Sequence, residues 1–207
     1  AGCPILIYAS SIAVYGSGLP ALMDEAYPPN PELTYGSQKY MIEIAIQDLS
    51  RRGDIDGRVL RLPGIVARPD EAIGLRSAFM SEVMHAVAEN RDYCSPVSVE
   101  STAWWMSSQC CVDNLLHAAS LELPLPQRIW QVPVLQLSLG QVLEALFSQF
   151  GEERRPLVSF EPDELLEQVF GRYPPINTPA ATAMGFRHDG DAKALVRRAL
   201  NIQSINN

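Results

Sequence analysis

The sequence predicts an α/β fold built on a parallel sheet, and three observations carry that prediction. Pro4 to Ala9 is a continuous apolar run with β-branched content, the pattern of a strand buried on both faces. A helical pattern runs from near Thr34 to about Arg52. Arg58-Val59-Leu60-Arg61-Leu62 then reads as a second strand, ended by Pro63-Gly64. Strand, loop, helix and strand in that order make a parallel pair when the crossover is right-handed.

Each further element has its own signal. The first strand runs directly into Ser10-Ser11, and a loop rich in Gly and Pro spans Gly16 to Pro31. Within the first helix Met41, Ile42, Ala45, Ile46 and Leu49 keep helical spacing, and Gly53 is a stop. Leu75 to Asn90 is an amphipathic helix with Phe79, Val83 and Val87 on one side, and Val112 to Leu121 a shorter one. Ile129 to Val132 reads as a short strand. Ser138-Leu139-Gly140-Gln141 is a capping box that opens a helix to about Phe150. Leu157 to Phe160 reads as a strand, and Pro162 to Phe170 and Asp191 to Leu200 as helices. The C-terminal half has shorter elements and more proline, the pattern of a smaller lobe on an α/β core.

Composition excludes several classes. With 207 residues, 47% hydrophobic and 19% charged, the chain is globular rather than disordered. No apolar run reaches the ~18 residues of a spanning helix. Ala1-Gly2-Cys3-Pro4 lacks the basic start of a signal peptide. A net charge of −8 argues against backbone-driven binding to nucleic acid. Cys3, Cys94, Cys110 and Cys111 form no C-x-x-C pair, and His85, His117 and His188 do not complete a zinc spacing. The four are read as reduced, mostly buried thiols of a cytoplasmic protein.

The chemistry-bearing feature is Tyr35 with Lys39. The chain has two lysines and seven tyrosines, so a chance Tyr-x-x-x-Lys match is expected roughly 0.07 times. The i, i+4 spacing puts both side chains on one helix face. A free tyrosine, with a pKa near 10, is too weakly acidic to act as a base at neutral pH. A nearby ammonium favours the phenolate and makes proton exchange with a substrate hydroxyl accessible. Ser10-Ser11-Ile12-Ala13-Val14-Tyr15-Gly16 stands at the end of the first strand, where open α/β sheets bind ligands. A serine there holds the same substrate oxygen against the tyrosine. Taken singly, a surface tyrosine beside an unrelated lysine and a turn-capping serine pair explain these motifs as well. Their combination favours the chemical reading.

With these motifs the sequence resembles the extended short-chain dehydrogenases/reductases, the NAD-dependent epimerase/dehydratase family, and within it the D-erythronate dehydrogenase-like branch. The likeness rests on Ser10 to Gly16 and Thr34-Tyr35-Gly36-Ser37-Gln38-Lys39. Supporting stretches are Ser50 to Gly53, Asp56 to Pro63, Arg68-Pro69, Asn177 to Ala180 and Met184 to Arg187. It implies the C-terminal part of a doubly wound, Rossmann-like parallel-sheet domain with a smaller mixed α/β substrate lobe. Residues 1–70 would be the second half of the Rossmann-like domain. Residues 71–207 would be the substrate lobe, interleaved with the last core elements.

The implied activity is hydride transfer between NAD and a secondary alcohol of a sugar acid or nucleotide sugar. Tyr35 would be the general acid/base, Lys39 would hold the nicotinamide ribose and activate the tyrosine, and Ser11 would orient the substrate oxygen. Ala9, Ser10, Tyr35, Lys39, Leu62, Pro63, Gly64 and Ile65 would contact the cofactor. Ser11, Tyr35, Arg68 and Thr102 would contact a small-molecule substrate. Related enzymes commonly dimerise through the helix that carries the tyrosine, so a homodimer is implied.

The sequence also departs from the family. The Gly-rich phosphate turn G-x-x-G-x-x-G is not found, and Gly16 and Gly18 lie after the serine motif. Measured against the family, the chain starts at about its fifth strand, and roughly a hundred residues carrying most of the dinucleotide site are expected outside it. Thr102 stands where the erythronate-type branch tends to carry an arginine suited to a carboxylate. The neighbouring Trp104-Trp105 reads as core aromatics or as an apolar substrate wall. Arg61 and Arg68, after the second strand, are candidates to face the site, while His117 and His188 read as structural and exposed, respectively. The alternative function is a short relative without nicotinamide, acting as a binding or scaffold module. A serine hydrolase lacks its G-x-S-x-G elbow.

Overall fold

The computed structural model describes residues 4–68, 77–122, 124–125 and 127–202. Cys3, Pro69 and the expected helix start at Leu75 lie outside them. Along the chain run β1 (Ile5–Ser11), a 3₁₀ turn (Ile12–Val14), β2 (Met23–Asp24), α1 (Thr34–Arg52), β3 (Asp56–Leu62), β4 (Gly64–Val66), α2 (Phe79–Ala88), β5 (Tyr93–Ser95) and β6 (Thr102–Ser107). Then follow α3 (Ser108–Ser120), β7 (Ile129–Gln131), β8 (Leu135–Ser138), α4 (Leu139–Phe150), β9 (Val158–Phe160), α5 (Glu164–Phe170), β10 (Ile176–Asn177), α6 (Pro179–Ala183) and α7 (Ala192–Ala199). Two compact units result. One holds Ala1–Pro63, Cys111–Pro133 and Pro175–Arg187, and the other Gly64–Cys110, Val134–Pro174 and His188–Asn207.

The first unit contains the predicted parallel sheet, in the order β1-β3-β7. The register sets Ser10 beside Arg61 and Ser11 beside Leu62, so the carboxyl ends of β1 and β3 lie level. Helix α1 covers one face. Its close approach needs Gly57, where a Cβ would stand 2.3 Å from Ile46 Cγ2 and 2.6 Å from Ser50 Oγ. The Ser50 hydroxyl donates to the Ile46 carbonyl at 2.7 Å and accepts from the Gly57 amide at 3.0 Å.

The other face meets α3. There the Arg58 guanidinium donates to the carbonyls of Ala118 and Ala119 and pairs with Asp56. Strand β3 therefore buries two arginines, Arg58 and Arg61, together with Asp56. Each is compensated by a carboxylate, as buried charge requires. Farther on, Trp130 of β7 packs against Phe186, with ring centres 5.4 Å apart, and β10 pairs in parallel with β2.

In the second unit β4 and β6 pair in parallel and β6 and β8 antiparallel. Its core gathers Val66, Phe79, Val83, Trp105, Leu146 and Val196 among others. The capping box at Ser138 and Gln141 is formed as expected.

Beyond the short elements β2, β4, β5, β8, β10 and α6, which the sequence reading did not contain, three outcomes differ from it. Trp104-Trp105 lies inside strand β6, which carries no turn signal because it runs straight into α3. That helix starts at Ser108 rather than Val112, since the Ser107 hydroxyl accepts from the Cys110 amide at 3.0 Å. Finally, of the apolar residues spaced along α1 only Ile46 is fully buried, and Gly36, Glu43 and Ser50 complete its inner face.

Candidate active site

The site grows from the level ends of β1 and β3. Past the strand the chain turns at Ser11, whose hydroxyl accepts from the Ala13 amide at 3.2 Å and caps the 3₁₀ turn. The first turn of α1 presses onto this segment. A Cβ at Gly36 would stand 2.1 Å from the Ala13 carbonyl oxygen, so the residue after Tyr35 has to be glycine. The helix that carries Tyr35 is thereby seated beside Ser11.

Tyr35, Lys39 and Glu43 form a ladder at i, i+4 and i+8 along α1. Tyr35 is 54% exposed. Lys39 Nζ donates to the Ala9 carbonyl at 2.7 Å, and lies 4.8 Å from the ring centre of Tyr8 and 5.5 Å from that of Tyr35. Two tyrosine rings therefore bracket the ammonium, which keeps donors beyond the one spent on Ala9.

One turn further in, Glu43 is fully buried. Its carboxylate accepts from Ser10 Oγ at 2.5 Å and from Arg61 Nε and Nη2 at 3.1 and 2.7 Å. Arg61 Nη1 also donates to the Tyr15 hydroxyl oxygen at 3.2 Å. Burial pushes the Tyr15 phenol above its ordinary range, with Arg61 pulling the other way, so it stays protonated at neutral pH. Burial would lower the Arg61 guanidinium, but its bond to Glu43 holds it above the usual value. Arg61, offered by the sequence as a site residue, is thus a buried structural cation.

The structure brings Ala9, Ser10, Ser11, Lys39 and Leu62 together around one strand end, with Tyr35 above Lys39, and Pro63 follows Leu62 directly. Glu43 and Tyr15 were not singled out from the sequence. The signal for Glu43 was a carboxylate at helical spacing from Tyr35 and Lys39, on the same face of α1.

The remaining predicted residues lie in the second unit. Gly64 and Ile65 pair with Trp105 and Met106, and a Cβ at Gly64 would meet Met80 Cε at 2.6 Å. The Arg68 amide donates to Ser81 Oγ at 3.1 Å, and its Nη2 to Ser77 Oγ at 3.5 Å. No carboxylate pairs with Arg68 among the described residues. Thr102 donates its hydroxyl to the Tyr173 carbonyl at 2.9 Å. Trp104 and Trp105 are buried and donate their indole N–H groups to Pro174 and Leu137 carbonyls at 2.6 and 3.0 Å. They are core, not an open wall.

His117 Nε2 donates to the Met184 carbonyl at 2.8 Å, and His188 is exposed. Cys110 and Cys111 are buried thiols outside any disulfide, whereas Cys94 is exposed. Among the described residues no cluster of His, Cys, Asp and Glu is suited to a metal ion, and no helix is long and apolar enough to cross a membrane.

A tyrosine–lysine pair thus stands on a helix beside the carboxyl end of a Rossmann-like parallel sheet. The chain belongs to the NAD dependent epimerase/dehydratase family, which matches residues 1–104. It is 34% identical over 197 residues to D-erythronate dehydrogenase of Haemophilus influenzae, covering 93% of this chain and 62% of that protein. The D-erythronate dehydrogenase of Cupriavidus necator is 32% identical, with 94% and 61% covered. The chain thus spans about three fifths of the length of these relatives. Among solved structures, a nucleoside-diphosphate-sugar epimerase from Agrobacterium tumefaciens superposes with a TM-score of 0.89 at 28% identity, covering 97% of this chain and 60% of that one. A GalE-like L-threonine dehydrogenase from Cupriavidus necator gives 0.81 at 19% identity, with 96% and 65% covered, a likeness of fold.

Proposed function

We propose that this chain carries the proton-transfer half of an NAD-dependent dehydrogenase that oxidises a secondary alcohol of a sugar acid. One observation carries the reading: the Lys39 ammonium sits between the Tyr35 ring and the Ala9 carbonyl, beside the Ser11–Leu62 strand ends. In this reading Tyr35 takes the substrate hydroxyl proton, Ser11 orients that oxygen, and Lys39 sets a positive charge beside the Tyr35 ring.

The residues fit the nicotinamide end of the cofactor. Lys39 has donors left for ribose hydroxyls, and Ala9, Ser10, Leu62 and Pro63 line the strand ends, with Gly64 and Ile65 continuing the segment. They offer nothing for the pyrophosphate, since no Gly-rich turn occurs in this sequence. When bound, the nicotinamide accepts the hydride. The other steps fall to the protein.

Arg68 is the proposed partner of the substrate carboxylate, supported by its having no acidic partner among the described residues. Thr102 contributes contact rather than a hydrogen bond, its hydroxyl being committed to Tyr173. The sugar-acid class is supported by the two erythronate dehydrogenases above, and a nucleotide sugar, with epimerisation, is the second substrate class to screen. A homodimer through α1 is supported by its outward apolar residues Met41, Ile42 and Ile44, which are 60%, 42% and 50% exposed. The buried thiols of Cys110 and Cys111, which form no disulfide, support a reducing, cytoplasmic setting.

Calorimetric titration with NAD⁺ tests the reading. Micromolar binding followed by Tyr35-dependent reduction of NAD⁺ by D-erythronate supports it. No binding favours the cofactor-free binding module.

A further inference from the structure

We propose that Glu43, clamped by Arg61, is a positioning residue that sets where Lys39 and Tyr35 stand over the end of β1. The inference rests on the function proposed above and adds a residue to that site.

Two successive ladder residues of α1 bond two successive residues of β1. Lys39 Nζ donates to the Ala9 carbonyl at 2.7 Å, and Glu43 accepts from Ser10 Oγ at 2.5 Å. Glu43 also accepts from Arg61, which is the register neighbour of Ser10 on β3. One carboxylate therefore ties α1 to both strands at once. A slide of the helix along the strands would break all of these bonds together and strand a buried charge, which low-dielectric surroundings make costly. The first turn of α1 also packs closely on the Ala13 carbonyl, from whose oxygen a Cβ at Gly36 would stand only 2.1 Å. Among the described residues no hydrogen bond or ion pair joins Glu43 to Tyr35 or Lys39, so it acts on them through the placement of the helix.

The test uses lysine chemistry, which needs no substrate. Lys39 and Lys193 are the two lysines of the chain, and Lys193 is an exposed residue of α7. Acylation of the whole chain with a succinimidyl ester, read by peptide mass spectrometry, gives the rate at Lys39 with Lys193 as the internal standard. Two variants are compared. Ser10→Ala removes one bond and leaves the ion pair. Glu43→Leu with Arg61→Met removes both charges together, a replacement that often keeps stability.

In both variants the Lys39:Lys193 rate ratio is expected to rise about fivefold, as the local order around Lys39 is lost, while thermal unfolding stays cooperative. An unchanged ratio in folded protein overturns the proposal, because a merely structural ion pair would lower the melting temperature and leave Lys39 alone. If the double variant does not fold, Ser10→Ala decides. The functional reading fails separately: Tyr35→Phe with full turnover removes it, whatever the acylation ratio shows.

Discussion

The Lys39 ammonium donates to the Ala9 carbonyl oxygen at 2.7 Å, joining a residue on the second turn of α1 to the last residue before the serine pair of β1. That bond ties the ammonium next to Tyr35 to the backbone of β1. The candidate chemistry of the chain is arranged around it.

Tyr35→Phe keeps the ring that Lys39 faces and removes the hydroxyl. Turnover, followed by NADH absorbance with D-erythronate as the first probe, should fall by about 10²–10⁴-fold, the range of a lost general acid/base. The melting temperature should stay put, because the side chain is half exposed. Turnover within a few-fold of the parent would remove Tyr35 from the mechanism.

Lys39→Met keeps much of the side-chain volume and removes the donors. The dissociation constant for NAD⁺ by calorimetry should rise about tenfold, or ~1.4 kcal/mol. Equal affinity in the variant would show that the ammonium does not meet the cofactor.

Asp56 gives the chain an acid-sensitive anchor. Its bond to Arg58, with Arg128 adding to it, holds the carboxyl below the ordinary aspartate value. A depressed folded-state pKa contributes stability that is complete above the unfolded value of about 3.9 and is lost as pH falls through the lower folded value. Asp56→Asn should cost about 3–5 kcal/mol at neutral pH by stranding buried Arg58. It should also flatten the acid limb of a urea-stability profile below about pH 4. A variant profile parallel to that of the parent at every pH would contradict the assignment.

Gly57→Ala places a methyl group against Ile46 and Ser50. Overpacking of this kind costs about 1–3 kcal/mol, measurable by urea unfolding. Adding Ile46→Ala should restore part of the loss; additive losses would show that the helix is not in contact at that point.

Met41→Glu and Ile44→Glu put charge on the outward side of α1. Sedimentation velocity should show the dimer of the parent chain converted to monomer, with an unchanged melting profile at low concentration. A parent chain that is monomeric at every concentration would discard the α1 dimer.

Much of the architecture was legible in the sequence because its signals are local. The helix over Thr34–Arg52 matched to the residue, since its pattern ends at a glycine that takes up a left-handed conformation, φ 81°. The capping box at Ser138 was readable because both partners lie within one turn. Strand β6 was not, because its neighbours β4 and β8 lie far away in sequence and no turn residue separates it from α3.

The pairing of Tyr35 with Lys39 was determined by the sequence alone, since i, i+4 spacing on any helix puts them on one face. What the sequence left open was which polar residues turn inward. Arg61 was a candidate for the site, yet the register of β3 against β1 aims it at Glu43. Ser10 and Ser11 are adjacent and chemically alike, but strand alternation sends Ser10 to Glu43 beneath the helix and leaves Ser11 to cap the turn. Charge compensation between residues eighteen or more positions apart is a property of the folded register, and only the tertiary structure decided it.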